Sequence, residues 1–155
     1  MDKTLSINHV KKMPFNLASP PVKLGDNQCD ISSLSYDPEG RFLAVGMYDG
    51  SIKLYNPFTG KQTQILHPSG QDGSPISCLR WRPVWSGPNL KSSSVLTSVS
   101  SNGWIQNWHL ATNKVMNEVT EQMENKNNLY AADYLRDGKK YAVAGTDRKI
   151  YVYDS

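Results

Sequence analysis

The sequence predicts an all-β chain built from one antiparallel unit used three times, and three observations carry that prediction. Residues 42–45 (Phe-Leu-Ala-Val) form an unbroken apolar run, residues 52–55 alternate apolar with polar, and Asp49-Gly50 lies between them. Two short strands joined by a tight hairpin follow, because the turn needs the positive φ that glycine adopts freely and aspartate tolerates. The same stretch returns at residues 95–109, with Asn102-Gly103 on Asp49-Gly50 and Trp108 on Tyr55, and again at residues 141–154, with Asp147, Ile150 and Tyr153 on Asn102, Ile105 and Trp108. Asp49 and Asn102 lie 53 residues apart and Asn102 and Asp147 lie 45 apart, a period in the range of repeat architectures.

Taken in order, residues 1–24 carry Lys11-Lys12, Pro14, Pro20 and Pro21, a lead-in composition. Residues 22–24 could add a short closing strand, against which stand the paired prolines, since neither can donate to a ladder. The first unit covers about residues 31–66. Ile31, Leu34 and Tyr36 mark its first strand, Asp37-Pro38-Glu39-Gly40 its first turn, and Asp49-Gly50 a two-residue hairpin. Asn56-Pro57-Phe58-Thr59-Gly60 then leads into a fourth strand at residues 61–66. Residues 69–74 connect to the second unit, about 76–119, whose first strand carries Ile76, Leu79 and Trp81 and whose fourth is residues 114–119. An insertion at about residues 83–94 separates its first two strands and accounts for the longer spacing. Residues 118–128 are polar and read as a loop, with Met116, Val119 and Met123 hinting weakly at a helical face. The third unit, about residues 129–155, opens with Leu129, Ala132 and Tyr134, and the sequence stops after its third strand. Arg148 replaces the hairpin glycine there, which argues for a different turn type.

Four short antiparallel strands per period make one blade, and the repeats resemble those of the WD40 β-propeller family over residues 31–154. The family's turn aspartate falls on Asp49 and Asp147, with Asn102 a near equivalent. Its closing Trp-Asp pair falls in part on Trp108-His109, and loosely on Tyr55-Asn56 and Tyr153-Asp154. The Gly-His pair that opens a typical repeat is missing. Ser98 and Trp108 match two members of the family's hydrogen-bond network in the second blade, while Val45 and Val143 stand in the serine position of the others. Asp49, Asn102 and Asp147 are the structural turn residues, and the turn carboxylates are expected to accept hydrogen bonds from backbone N–H groups. The resemblance implies WD40-type β-propeller blades of four antiparallel strands over residues 25–155, three of them present as an incomplete ring. An antiparallel sandwich is the alternative.

Charge and composition bound the function. The formal charge is +3 with both signs interspersed, which lacks the basic stripe of a nucleic-acid or anionic-membrane binder. Lys139-Lys140 and Arg148-Lys149 fall on opposite turns of the third blade, so basic loops do not converge. The hydrophobic fraction of 38% suits apolar faces meant to bury against neighbouring copies. No apolar stretch reaches spanning length and residues 1–10 carry no signal-sequence core. Cys29 and Cys78 occupy non-equivalent positions and imply no disulfide framework, so a reducing compartment is expected, cytoplasmic with nuclear or cytoskeletal and ciliary settings as alternatives. His9, His67 and His109 lack metal-site spacing, and no phosphate-binding loop or nucleophile elbow appears. No cofactor, no small-molecule substrate and no enzymatic activity are expected.

The resemblance implies an interaction scaffold that presents loops to a protein or peptide partner. Family top faces draw on the residue after the first aliphatic of strand one, here Ser32, Ser77 and Tyr130, and on the residue before the turn aspartate, here Tyr48, Ser101 and Thr146. Tyr48 and Tyr130 are the informative pair, since rigid aromatic rings with a polar tip suit recognition; for Tyr48, a half-exposed turn residue packed on its neighbour is the alternative. Trp85, in the insertion, is a second candidate anchor unless it folds back over the rim of its own blade. A second class of function is architectural. Three blades leave two faces uncovered, so the chain looks like the N-terminal part of a longer propeller, or finds further blades in another chain, for example by pairing two copies into a six-bladed ring. A nucleic-acid-associated propeller is the third class.

Overall fold

The computed structural model describes residues 23–25, 27–68, 73–83, 95–120 and 127–155. Eleven strands lie among them: β1 Ile31–Tyr36, β2 Leu43–Met47, β3 Ile52–Tyr55, β4 Gln62–Leu66, β5 Ile76–Trp81, β6 Val95–Ser100, β7 Trp104–His109, β8 Lys114–Thr120, β9 Leu129–Tyr134, β10 Lys140–Gly145 and β11 Ile150–Asp154. They form two four-stranded antiparallel sheets, β1-β2-β3-β4 and β5-β6-β7-β8, and one three-stranded sheet, β9-β10-β11. The fold is therefore all-β, in blades.

The hairpins correct one expectation. Gly46 pairs with Ile52, Met47 N donates to Ser51 O at 2.9 Å and Gly50 N to Met47 O at 3.2 Å, so the loop holds three residues rather than two. This is the turn followed by one left-handed residue that three-residue hairpins use. Gly50 has φ 85° and Gly103 has φ 91°. Arg148 adopts φ 65° and its N–H donates to Gly145 O at 3.4 Å, as Gly103 N does to Ser100 O at 3.1 Å. The third blade thus keeps the same turn where a different type was expected. Arg148 bears the strain that glycine avoids.

Other boundaries shift by small amounts. β2 begins at Leu43, beyond the expected Phe42, because Phe42 N is held by Asp37 Oδ1 at 2.9 Å at the end of the preceding turn. β8 extends to Thr120 into the polar stretch read as loop, and residues 121–126 lie outside the described residues. So do the insertion with Trp85, at residues 84–94, and Val22 of the suggested closing strand. Residues 23–24 carry no strand; Leu24 instead packs, with Cys29, on Leu43, Val45, Met47 and Tyr55, the face of blade one turned away from blade two.

The core lies between blades. β5 packs on β1 and β2, and β9 on β5 and β6, so the first strands of successive blades stand side by side. Ala44, Ile52, Leu54 and Leu66 of blade one meet Ile76, Leu79, Trp81, Leu96, Trp108 and Leu110 of blade two. Cys78, Val99 and Ile105 of blade two meet Leu129, Ala132, Tyr141 and Val143 of blade three. Gly46 permits the first approach: a Cβ there would lie 2.7 Å from Ile76 Cγ2. Each blade is one side of a sandwich that only its neighbour completes.

Candidate interaction face

The first strand of every blade carries a bulge at the same place. The ladder skips Ser32 between Ile31 and Ser33, Ser77 between Ile76 and Cys78, and Tyr130 between Leu129 and Ala131. A bulge re-aims the extra residue out of the ladder, so the three positions singled out from sequence are geometrically equivalent. Their chemistry differs. Ser32 Oγ lies 3.0 Å from Gly46 O and 2.5 Å from Ile76 O in the next blade; Ser77 Oγ lies 3.0 Å from Val99 O and 2.5 Å from Leu129 O. These hydroxyls bridge one blade to the next. Tyr130 instead is half-exposed, at 55%, with its hydroxyl 3.5 Å from Asn128 Nδ2.

The positions before the turn side chains are also equivalent. Tyr48 N donates to Asp30 O at 2.9 Å, Ser101 N to Pro75 O at 3.0 Å and Thr146 N to Asn128 O at 3.0 Å, each tying the hairpin to the residue just ahead of the first strand. The bulge and hairpin positions of each blade therefore share one end of its sheet. Tyr48 is 57% exposed and Thr146 is exposed, whereas Ser101 is half-buried. Thr146 Oγ1 accepts from Asn128 N at 3.0 Å and donates to Asn127 Oδ1 at 3.3 Å. Trp85 lies outside the described residues.

The turn side chains stiffen this end. Asp49 Oδ1 accepts from Ser51 N at 2.9 Å and Ser51 Oγ at 2.7 Å, and the hydroxyl bond above all holds its carboxyl below the usual value. Asp147 Oδ1 accepts from Lys149 N at 3.1 Å and its Oδ2 from Tyr151 Oη at 2.5 Å, the latter bond chiefly lowering its pKa. In blade two Asn102 Oδ1 accepts from Ser100 Oγ at 2.5 Å.

In blade two Trp108 Nε1 donates to Ser98 Oγ at 2.9 Å, the pair singled out from the sequence. Several other residues matter that the sequence did not single out. In blade one, where Val45 stands in the serine position, Tyr55 Oη donates to Asn27 Oδ1 at 3.0 Å instead. Between blades two and three, Thr97 Oγ1 bonds Asn107 Oδ1 and Tyr134 Oη at 2.6 Å, while Asn107 Nδ2 donates to Asn117 Oδ1 at 2.6 Å. Tyr141 stacks on Tyr153 at 5.4 Å, and burial raises the pKa of its phenol. Asn27 precedes the first strand in a loop with no pattern around it, so only the fold reveals its partner. Among the described residues there is no cluster of three His, Cys, Asp or Glu that could hold a metal, and no helix is long and apolar enough to cross a membrane.

Residues 13–84 match the family model described as anaphase-promoting complex subunit 4 WD40 domain. The backbone also superposes, at TM-score 0.65 and 19% identity, on a chain of the structure titled Crystal Structure of Mitotic Checkpoint Complex, covering 84% of this chain and 35% of that one. Sequence and fold are thus similar to those of WD40-repeat proteins. Among similar proteins are the periodic tryptophan protein 2 homolog of Dictyostelium discoideum, 29% identical over 83% of this chain, and the meiotic fizzy-related protein 2 of Schizosaccharomyces pombe, 24% identical over 86%. A dynein axonemal intermediate chain 4 of Danio rerio is 42% identical over 43% of this chain. The chain spans 13% of the first, 24% of the second and 9% of the third.

Proposed function

We propose that this chain is a non-catalytic interaction module that presents the hairpin end of its blades to a protein or peptide partner within a larger assembly, with Tyr48 and Tyr130 as its anchors. The observation that carries the reading is the exposure of these two rings, 57% and 55%, on backbone positions that a bulge and a repeated hydrogen bond hold in place. Preorganised aromatics bind at low entropic cost. Ser32 and Ser77 support the seams rather than the contact, because their hydroxyls are taken up between blades. Thr146 and Ser101 flank the anchors, and Trp85 remains a proposed second anchor.

The relatives favour a protein partner in the coarse sense that they carry names such as dynein axonemal intermediate chain and that the similar fold comes from a structure titled as a mitotic checkpoint complex. A reducing, cytoplasmic setting belongs to the same proposal, and Cys29 and Cys78 are both free thiols. The test is a photo-crosslinking amino acid placed at residue 48, 130 or 58 in cells. The expected result is one shared protein captured from residues 48 and 130 and not from 58, with the purified pair weakened at least about tenfold by Tyr48→Ala with Tyr130→Ala. Capture from residue 58 alone, or unchanged affinity in the double variant, sinks the reading.

A further inference from the structure

Each blade has a second end, opposite the hairpins, and its side chains differ in kind. Ser32 Oγ meets Ile76 O where β1 and β5 begin, and Trp81 Nε1 donates to Ser35 O at 2.9 Å where they close, so the two strands run the same way. Ser77 Oγ with Leu129 O and Cys78 Sγ with Ala132 O align β5 and β9 likewise. The β1–β2, β3–β4, β7–β8 and β9–β10 turns therefore emerge at one common end of the stack. Packing of blade on blade covers the flat faces of the sheets and leaves such turns at the surface.

Cations that are scattered along the sequence gather there. Lys61 follows the β3–β4 turn, Lys114 opens β8, and Arg136 and Lys139 lie in the β9–β10 turn; all four are exposed, and none has an ion pair among the described residues. Arg82 joins them, its Nε donating to Gly138 O at 2.9 Å, which ties the close of β5 to the turn of blade three. The carboxylates of this end are engaged locally. Asp37 and Glu39 lie on Arg41 at 3.1 and 3.0 Å, Asp154 on Lys140 at 2.5 Å, and Asp137 Oδ1 accepts from Lys139 N at 2.9 Å.

Phe58 stands on the same end. At 84% it is the most exposed large apolar side chain among the described residues, yet its turn is fixed. Asn56 Oδ1 accepts from Phe58 N at 2.9 Å and Thr59 N at 3.0 Å, while Gly60 N donates to Asn56 O and Asn56 N to Lys61 O, each at 2.9 Å. Pro57 locks one further dihedral. An aromatic ring held out in one orientation contributes contact area at low entropic cost.

We propose that this turn end is a second docking surface, for an acidic peptide segment of a protein partner, with Phe58 against its apolar residues and the unpaired lysines and arginine on its carboxylates. Charge complementarity selects the occupant. Sheets stack about 10 Å apart, so one extended segment of about ten residues reaches from blade one to blade three. Glu39, Asp137 and Asp154 interrupt the cations, which a uniformly charged phosphate backbone meets as repulsion; a peptide places its carboxylates one by one. The surface shares no residue with the hairpin end, so the chain can hold two partners at once.

The test selects phage-displayed random peptides on the whole 155-residue chain and counter-selects on a Phe58→Ala, Lys114→Glu variant. Both positions are exposed, so the variant is expected to keep the wild-type circular dichroism spectrum. Clones that tell the two proteins apart are expected to combine several Asp or Glu with an aromatic or aliphatic residue. The synthetic peptide of the strongest clone is expected to bind about tenfold more weakly to Phe58→Ala, and again to Lys61→Glu with Lys114→Glu. The matched charge reversal at the hairpin end, Arg148→Glu with Lys149→Glu, is expected to leave its affinity unchanged. Neutral or basic clones, no discriminating clone, or equal weakening by the two charge reversals would overturn the proposal. Tighter binding of a poly-uridine oligonucleotide of the same charge would assign the surface to nucleic acid and also overturn it.

Discussion

Arg148 is the residue at which repeat and chemistry disagree. Its φ of 65° lies where a Cβ costs about 1–2 kcal/mol, and its side chain is exposed. Arg148→Gly is expected to stabilise the chain by about 1 kcal/mol, read as a higher urea midpoint at unchanged slope; a lower midpoint would show that the guanidinium has a partner worth more than the strain. Asp49 supplies a pH dependence. Its folded pKa lies below the ordinary 3.8 because Ser51 donates to it from both hydroxyl and N–H. The unfolded chain therefore binds the proton first as pH falls, so this contribution is present above about pH 4 and is lost as pH drops through the folded value. Ser51→Ala is expected to move the Asp49 titration, followed by NMR, back towards 3.8; an unmoved titration would remove the hydroxyl as its cause.

At the scale of elements, stability lies in the seams. A four-stranded blade has one face buried by each neighbour, and Ile76 sits at the centre of the first seam, fully buried against Gly46. Ile76→Ala is expected to cost about 2–5 kcal/mol, measured by chemical denaturation; a cost under about 1 kcal/mol would mean that the seam collapses onto the smaller side chain. β11 differs from β3 and β7 in that no fourth strand pairs with it among the described residues. The repeat was legible at this scale, because alternating apolar residues and hairpin dipeptides lie close together in the chain. The loop length of three was not, since Asp-Gly suits both two- and three-residue hairpins and only the pairing of Gly46 with Ile52 decides between them.

For the whole molecule, blade two is held from both sides, by Ala44, Ile52 and Leu54 of blade one and by Leu129 and Tyr141 of blade three, which couples the three sheets. Ser77→Ala removes the hydroxyl that bridges Val99 O and Leu129 O and is expected to lower one shared unfolding midpoint; two separate transitions would show that the blades unfold independently.

Residue order alone determined the all-β class, the three-fold repetition, the equivalence of Asp49, Asn102 and Asp147, and the apolar rows that face each seam. These follow from local periodicity and turn chemistry, which a linear chain displays directly. Tertiary structure alone decided that Ser32 and Ser77 bridge blades while Tyr130 at the same bulge faces outward. It also decided that Asn27 replaces the missing serine partner for Tyr55, and that Leu24 and Cys29 pack on the face of blade one turned away from blade two. Each of these depends on which carbonyl or side chain from a distant repeat arrives within 3 Å or so of a given atom. Sequence spacing does not carry that distance; the stacking of one blade on the next does.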